Sequence, residues 1–290
     1  MARSGLRVVL WTVFWLALIF VAGFGLAITI QGSRVERSVH REALELLARR
    51  PAAPAPRVPS PPRALPPPVA RYLALAGATR RAPVRTVRLL HGGTFQPSVD
   101  ARPFAIRGEQ YFTAEPPAFL WWGRIRVAPG IWIDGRDRSV DGVGNMVIQA
   151  VSTFTLADAR GPHLDEAALQ RLLGELAWLP TALRDARYVR WEPIDGARAR
   201  AFLRVGEREV QLVFHFGPDG WLTRVTADRW RDVDGRAVLT PWQGEMGDWR
   251  EVGGLRVPFR IAATWTLDGK PFTYARWEVQ ELEYDVAEPY

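Results

Sequence analysis

Leu255-Arg256-Val257-Pro258-Phe259-Arg260-Ile261-Ala262-Ala263-Thr264-Trp265 alternates with period two, so Val257, Phe259, Ile261, Ala263 and Trp265 share one face. A β-strand produces this pattern because successive side chains point to opposite sides of the sheet. The second face is wetter, as in antiparallel sheets that pack one side on a core. Upstream, Val210, Leu212, Phe214 and Phe216 lie on one face, with Gln211, Val213 and His215 opposite. Turn signals at Gly135, Gly196, Asp219-Gly220, Asp234-Gly235, Gly253-Gly254 and Asp268-Gly269 read as hairpins and meanders. From Val84 onward this spacing predicts roughly ten or more strands.

One segment breaks the alternation. Asp165 to Ala177 places Leu169, Leu172, Leu173 and Leu176 at helical spacing, with Asp165 and Glu166 suited to the positive N-terminal end. Such a leucine stripe needs an apolar partner, and the sheet is the large one available. The expected fold is therefore α+β and mostly β, a curved antiparallel sheet with a covering helix. A shorter helix, Val69 to Ala76, follows Pro66-Pro67-Pro68 and is closed by Gly77.

The N-terminus is different in kind. Val8 to Ile30 is an uncharged run of 23 mostly apolar residues, which as a helix spans roughly 35 Å, enough for a bilayer core. Trp11 and Trp15 sit toward one end, where interfacial aromatics gather. Gly25-Leu26-Ala27 offers a signal-peptide cleavage site, but Ile28-Thr29-Ile30 continues the run, so a retained single-pass anchor is expected. Residues 34–50 have helical composition and extend it, Pro51 stops it, and the Pro-rich stretch that follows makes a semi-rigid stalk. The expected division is an anchor over 1–33, a juxtamembrane helix and stalk over 34–65, and a β-rich domain over 66–290. Arg34, Arg37, Arg41, Arg49 and Arg50 outnumber Arg3 and Arg7, which argues for a cytoplasmic domain. The short N-terminal tail argues for the signal-anchor arrangement, in which the domain lies outside or in the periplasm. The second arrangement, at a bacterial inner membrane, is the one adopted.

Charge supports this division. The 290-residue chain carries +7, with 38 basic and 31 acidic side chains and no cysteine. Residues 1–83 hold twelve Arg and three acids, a balance of +9, which leaves −2 for the remainder. Nucleic-acid binding needs basic residues gathered on the folded part, so no nucleic-acid partner is expected. The absence of cysteine excludes a disulfide framework, a cysteine zinc site and a thiol nucleophile.

The series Gln110-Tyr111-Phe112, Val127-Ala128-Pro129-Gly130, Arg138-Ser139-Val140-Asp141-Gly142, Trp178-Leu179-Pro180-Thr181-Ala182 and Trp191-Glu192-Pro193-Ile194-Asp195 continues through Pro241-Trp242 and Gly247-Asp248-Trp249-Arg250-Glu251 into Gly254-Leu255-Arg256-Val257-Pro258. It resembles an uncharacterised bacterial family, a domain of unknown function, across roughly residues 66–285. The last two segments are also similar to the hairpin of LolA- and LolB-like lipoprotein carriers. That resemblance implies an unclosed antiparallel barrel whose concave face, covered by helices, holds acyl chains. The chain departs from the carriers in having an anchor and no lipobox cysteine.

Aromatic residues supply the candidate site. Trp121 and Trp122 are adjacent, so on a strand they face opposite sides and both faces need cover. An apolar cavity walled by Tyr111, Trp121, Trp178, Trp249 and Trp265 is one reading; two ordinary packing layers are the other. Arg124 or Arg224 could hold a head group by charge-assisted bonds. Glu175 is expected at the solvent or, if turned to the sheet, paired with Arg124 or Arg224, and His215 on the polar face of its strand. His40, His91, His163 and His215 lack metal-ligand spacing, so neither metal nor cofactor is expected. No G-x-S-x-G, P-loop or H-E-x-x-H motif occurs. The leading expectation is a tethered, non-catalytic domain binding a lipid or other apolar molecule. The alternatives are a hydrolase or carbohydrate-acting enzyme using Glu175, His215 and Asp228, and an envelope scaffold that recruits a protein partner.

Overall fold

The computed structural model describes residues 2–49 and 65–290. Thirteen strands form one antiparallel sheet in the order β6-β5-β4-β3-β2-β1-β13-β12-β11-β10-β9-β8-β7. The first half comprises β1 (Thr86–Phe95), β2 (Phe104–Ala114), β3 (Pro117–Ala128), β4 (Ile131–Val140), β5 (Val143–Ala150) and β6 (Phe154–Ala159). The second comprises β7 (Val189–Pro193), β8 (Arg198–Val205), β9 (Arg208–Phe216), β10 (Leu222–Val233), β11 (Arg236–Val252), β12 (Leu255–Leu267) and β13 (Lys270–Tyr284). Each half is a meander of hairpins, and β1 pairs with β13 to join them. The sheet does not close, since β6 and β7 are its two edges.

Among the described residues three α-helices accompany it: α1 (Ala2–Ala48), α2 (Pro67–Leu75) and α3 (Pro162–Glu175). The α3 helix links the two sheet edges and begins three residues before the expected Asp165, because Pro162 is well suited to a first helical turn. Asp165 fixes that turn to both halves: it accepts from the Gly144 amide at 2.7 Å and from Arg208 at 2.6 Å. The leucine stripe of α3 is fully buried on the concave face with Phe112, Phe119, Leu212 and Phe214. The α2 helix adds Val69, Tyr72 and Leu73 to the same core. Gly77 closes it at φ 77°, and a Cβ there would lie 2.5 Å from the Gly254 carbonyl oxygen.

The α1 helix has two parts. Its apolar part stands exposed outside the domain and is long enough to cross a membrane. Its C-terminal part continues the apolar part as one helix, as expected, and in addition packs on the convex face of the sheet. There Val39, Ala43, Leu46 and Leu47 are buried against Tyr111, Ala118 and Leu120. Polar contacts fix the register: His40 to Glu109 at 3.1 Å, Glu42 to Arg138 at 3.3 Å, and Arg49 to Asp141. The Pro-rich stretch lies largely in residues 50–64, outside the described residues.

Candidate functional site

The concave face divides into three levels, set by which strand positions point inward. At one end it is closed. Trp178 is fully buried on Phe112 and donates its indole N–H to the Pro258 carbonyl at 2.9 Å. Trp249 packs edge-on to Tyr72 in the same region.

The middle level is ionic. Glycines face one another across three strands, Gly108 opposite Gly123 and Gly123 opposite Gly135. They leave a floor for a flat ring: a Cβ at Gly123 would lie 2.3 Å from the Trp121 indole, and one at Gly108 would lie 2.3 Å from His91. Above this floor the Arg171 guanidinium of α3 lies 5.1 Å from the Trp121 ring and 5.0 Å from that of Phe119. Arg171 donates to Asp137 at 2.8 Å and to Glu175 at 2.9 Å, while Gln110 donates to Glu175 at 2.6 Å. Burial raises both carboxyl groups above their ordinary range, and Arg171 opposes that rise. Burial works against the charge on Arg171, but Glu175 and Asp137 outweigh it and hold its pKa above the ordinary value. Glu175 is thus enclosed and paired with Arg171, rather than solvent-exposed or paired with Arg124 or Arg224. A charge this deep is retained only where a partner offsets its desolvation.

His91 completes this level. Trp121 donates its indole N–H to His91 Nε2 at 2.8 Å, and Trp277 stacks on the imidazole at 5.2 Å. That bond needs Nε2 as the acceptor, which assigns the proton to Nδ1, 3.3 Å from the Gly92 carbonyl. Burial lowers its pKa to about 3. Because this lies below the unfolded value of about 6.5, stability is lost as pH falls from about 6.5 toward 3, by up to about 1.4 kcal/mol per pH unit. The His91→Gln variant should lack this component. Urea unfolding at a series of pH values is expected to give a flatter acid limb for the variant, and parallel limbs would refute the assignment.

The third level is open. Phe95, Ile125, Ile133, Trp265, Tyr274 and Trp277 point inward but are only half-buried. Arg229 stands beside them, its guanidinium 4.5 Å from the Trp242 ring and 5.9 Å from that of Trp265. It is 8% exposed and donates to the Ala167 carbonyl of α3 at 2.7 Å. Among the described residues it makes no ion pair, and its Nε has no hydrogen-bond partner. Burial lowers its pKa. Nearby, β9 and β10 pair only from Leu222 opposite Phe216 to Thr226 opposite Val213. Beyond that they part, and a groove of about 700 Å³ opens, lined by Val210, Leu212, Ala227, Leu239, Trp242 and Gln170. Gln170 donates to the Asp228 carbonyl at 3.1 Å in this gap.

The concave face therefore brings together Trp121, Glu175, Trp178, Trp249 and Trp265. Tyr111 lies on the convex face under α1, bonded to Glu109. Arg124 is on that face too, held by Asp134 at 2.8 Å. His215 points outward to Thr226 at 2.9 Å, and Arg224 is exposed opposite it. Glu175 does not meet His215 or Asp228, whose side chains leave the other face of the sheet. Sequence reasoning missed Arg171, Arg229 and His91. For Arg229 a signal existed, since Val225 and Ala227 share its period-two face.

A family profile matches residues 58–277, three-quarters of the chain. The chain belongs to DUF6544, a family of unknown function. Among solved structures similar to this DUF6544 chain, a DUF1329 family protein from Desulfovibrio piger is 14% identical, covering 76% of this chain and 94% of its own, at a TM-score of 0.42. A putative outer membrane lipoprotein-sorting protein domain from Vibrio parahaemolyticus is 10% identical over 75% and 93%, at 0.38. A LolA superfamily protein from Nitrosomonas europaea is 11% identical over 73% and 92%, at 0.31. No curated protein matches the chain by sequence.

Proposed function

We propose that this DUF6544 chain is a membrane-tethered, non-catalytic domain that binds an acidic amphiphile, a lipid or fatty acid, on the open part of its concave face. The observation that carries the reading is Arg229, a buried guanidinium without an ion pair among the described residues, set on indole rings beside a half-exposed apolar floor. An unpaired buried charge is costly, so an anionic head group would supply what the chain leaves out. The apolar portion would lie over Trp265, Trp277, Phe95 and Ile125, contributing about 0.8 kcal/mol per buried CH₂. Trp121 and Glu175 would form the polar floor at which the apolar portion stops. The setting proposed is the outer or periplasmic side of a bacterial inner membrane.

The test uses the full chain in nanodiscs with a diazirine-bearing phosphatidylglycerol. Crosslinks are expected on peptides containing Phe95, Trp265 or Trp277. In Arg229→Met the yield should fall about tenfold or more, as loss of a charge-assisted bond of about 1.5–3 kcal/mol implies. Crosslinking confined to α1, or unchanged in Arg229→Met, would overturn the reading.

A further inference from the structure

The position of α1 relative to the open end determines which way that end faces. The helix is continuous from Ala2 to Ala48, and its apolar run ends at Ile30. Two residues later Gly32 is buried, where a Cβ would lie 3.8 Å from Ser152, 3.9 Å from Arg124 and 4.0 Å from Trp132. From there α1 runs along β4 in the same direction, until Arg49 meets Asp141. The β3–β4 and β5–β6 turns, beside Ile131 and Phe154, therefore stand next to the point where the helix leaves the domain. Strand register puts the same end of the sheet at Ile133 opposite Ala150, Ile125 opposite Ile106, and Phe95 opposite Phe104 and Ala275. That is the open end of the concave face.

This rim gathers several of the most exposed apolar side chains of the domain. Ile131, Phe154, Leu156 and Val99 are 51%, 54%, 61% and 59% exposed, and all four lie on it. Arg102, Arg107 and Arg126 are exposed among them, with Arg34 and Arg37 on the adjoining turn of α1, and they outnumber the exposed acids Asp100 and Glu36 of the same segments. Apolar tips among an excess of arginines suit an anionic lipid surface, where side chains enter the interface and cations meet phosphate. A helix rise of about 1.5 Å per residue puts this rim within a few Å of where the hydrocarbon ends.

We propose that the open end of the half-barrel docks on the bilayer that holds its own anchor, with Ile131, Phe154 and Leu156 entering the interface. The proposal rests on the binding function above only in its consequence: a lipid would pass between leaflet and concave face without crossing water. The chain contains no cysteine, so single cysteines can report on it. Ile131→Cys, Phe154→Cys and, at the far end, Val143→Cys are each labelled with an environment-sensitive fluorophore. The labelled full chains are placed in nanodiscs of equal parts phosphatidylethanolamine and phosphatidylglycerol, with and without nitroxide-bearing lipid. Labels at 131 and 154 are expected to be quenched several-fold more than the label at 143. Equal quenching at all three positions would overturn the docking, as would protection at 131 and 154 that appears only with two chains per disc and without lipid quenching. Strong rim quenching with no Arg229-dependent crosslink would keep the docking and remove the ligand.

Discussion

A chain starting at Leu65 is expected to be less stable than one starting at Gln31 by about 4.5–9 kcal/mol, because Val39, Leu46 and Leu47 each bury a side chain worth about 1.5–3 kcal/mol. The shorter chain keeps every strand yet exposes Tyr111, Ala118, Leu120 and part of Trp122, the convex stripe that α1 covers. It also leaves Glu109 without His40, and Arg136 and Arg138 without Glu42. Since whole domains are stable by only about 5–15 kcal/mol, the shorter chain should be marginal and prone to self-association through that stripe. Urea midpoints and size-exclusion profiles of the two chains give the comparison. A peptide of residues 31–49 added in trans should restore part of the difference. Equal midpoints would mean that the docked half of α1 contributes nothing to the fold.

Replacing Arg171 by Met should cost about 3–5 kcal/mol at neutral pH, the usual consequence of stranding buried charges by removing their partner. Asp137 is nearly inaccessible, and one of its oxygens already lacks a hydrogen bond. The pH dependence provides a second check. Both carboxyl groups already titrate above their ordinary range through burial, and loss of Arg171 raises them further. A carboxyl with a raised folded pKa costs nothing below its unfolded value of about 4, and its full penalty applies only above the folded value. The deficit of Arg171→Met should therefore be largest near neutrality and shrink toward pH 4. Adding Asp137→Asn and Glu175→Gln should recover most of it at pH 7. A deficit independent of pH would point to lost packing on Trp121 and Phe119 instead.

Much of the fold was legible because its causes are local. Alternation in 255–265 and 210–216, glycine turns and the leucine stripe of α3 each report a period that backbone geometry imposes. The Trp121–Trp122 pair announced two covered faces, and the structure has two: the concave core and the surface under α1. What covers the second was harder to read. Val35, Val39, Ala43, Leu46 and Leu47 have helical spacing, but the adjoining apolar run makes the whole stretch look like an extension of the anchor. The ionic level escaped for another reason. Arg171 and Glu175 are an ordinary i, i+4 pair in sequence, and only the curl of the sheet brings Asp137 from β4 to meet them. His91 follows a register shift after Leu90, which alters the strict alternation from which its face would be inferred.

The pairing of β1 with β13 has a consequence for the order of events during synthesis. These strands join the two meanders, yet their contacting ends are about 200 residues apart in the chain, as in the bond from the Arg85 amide to Asp285. Hairpins within each half can form as they emerge, because their loops are short. The seam between the halves has to wait for the last strand. A nascent chain would thus carry a finished N-terminal half-sheet with the β1 edge bare, already attached to the membrane by α1. Bare edges recruit other strands. The interval before β13 arrives is when the chain is most open to edge-to-edge association, and C-terminal truncations that remove only β13 should aggregate more than their size suggests.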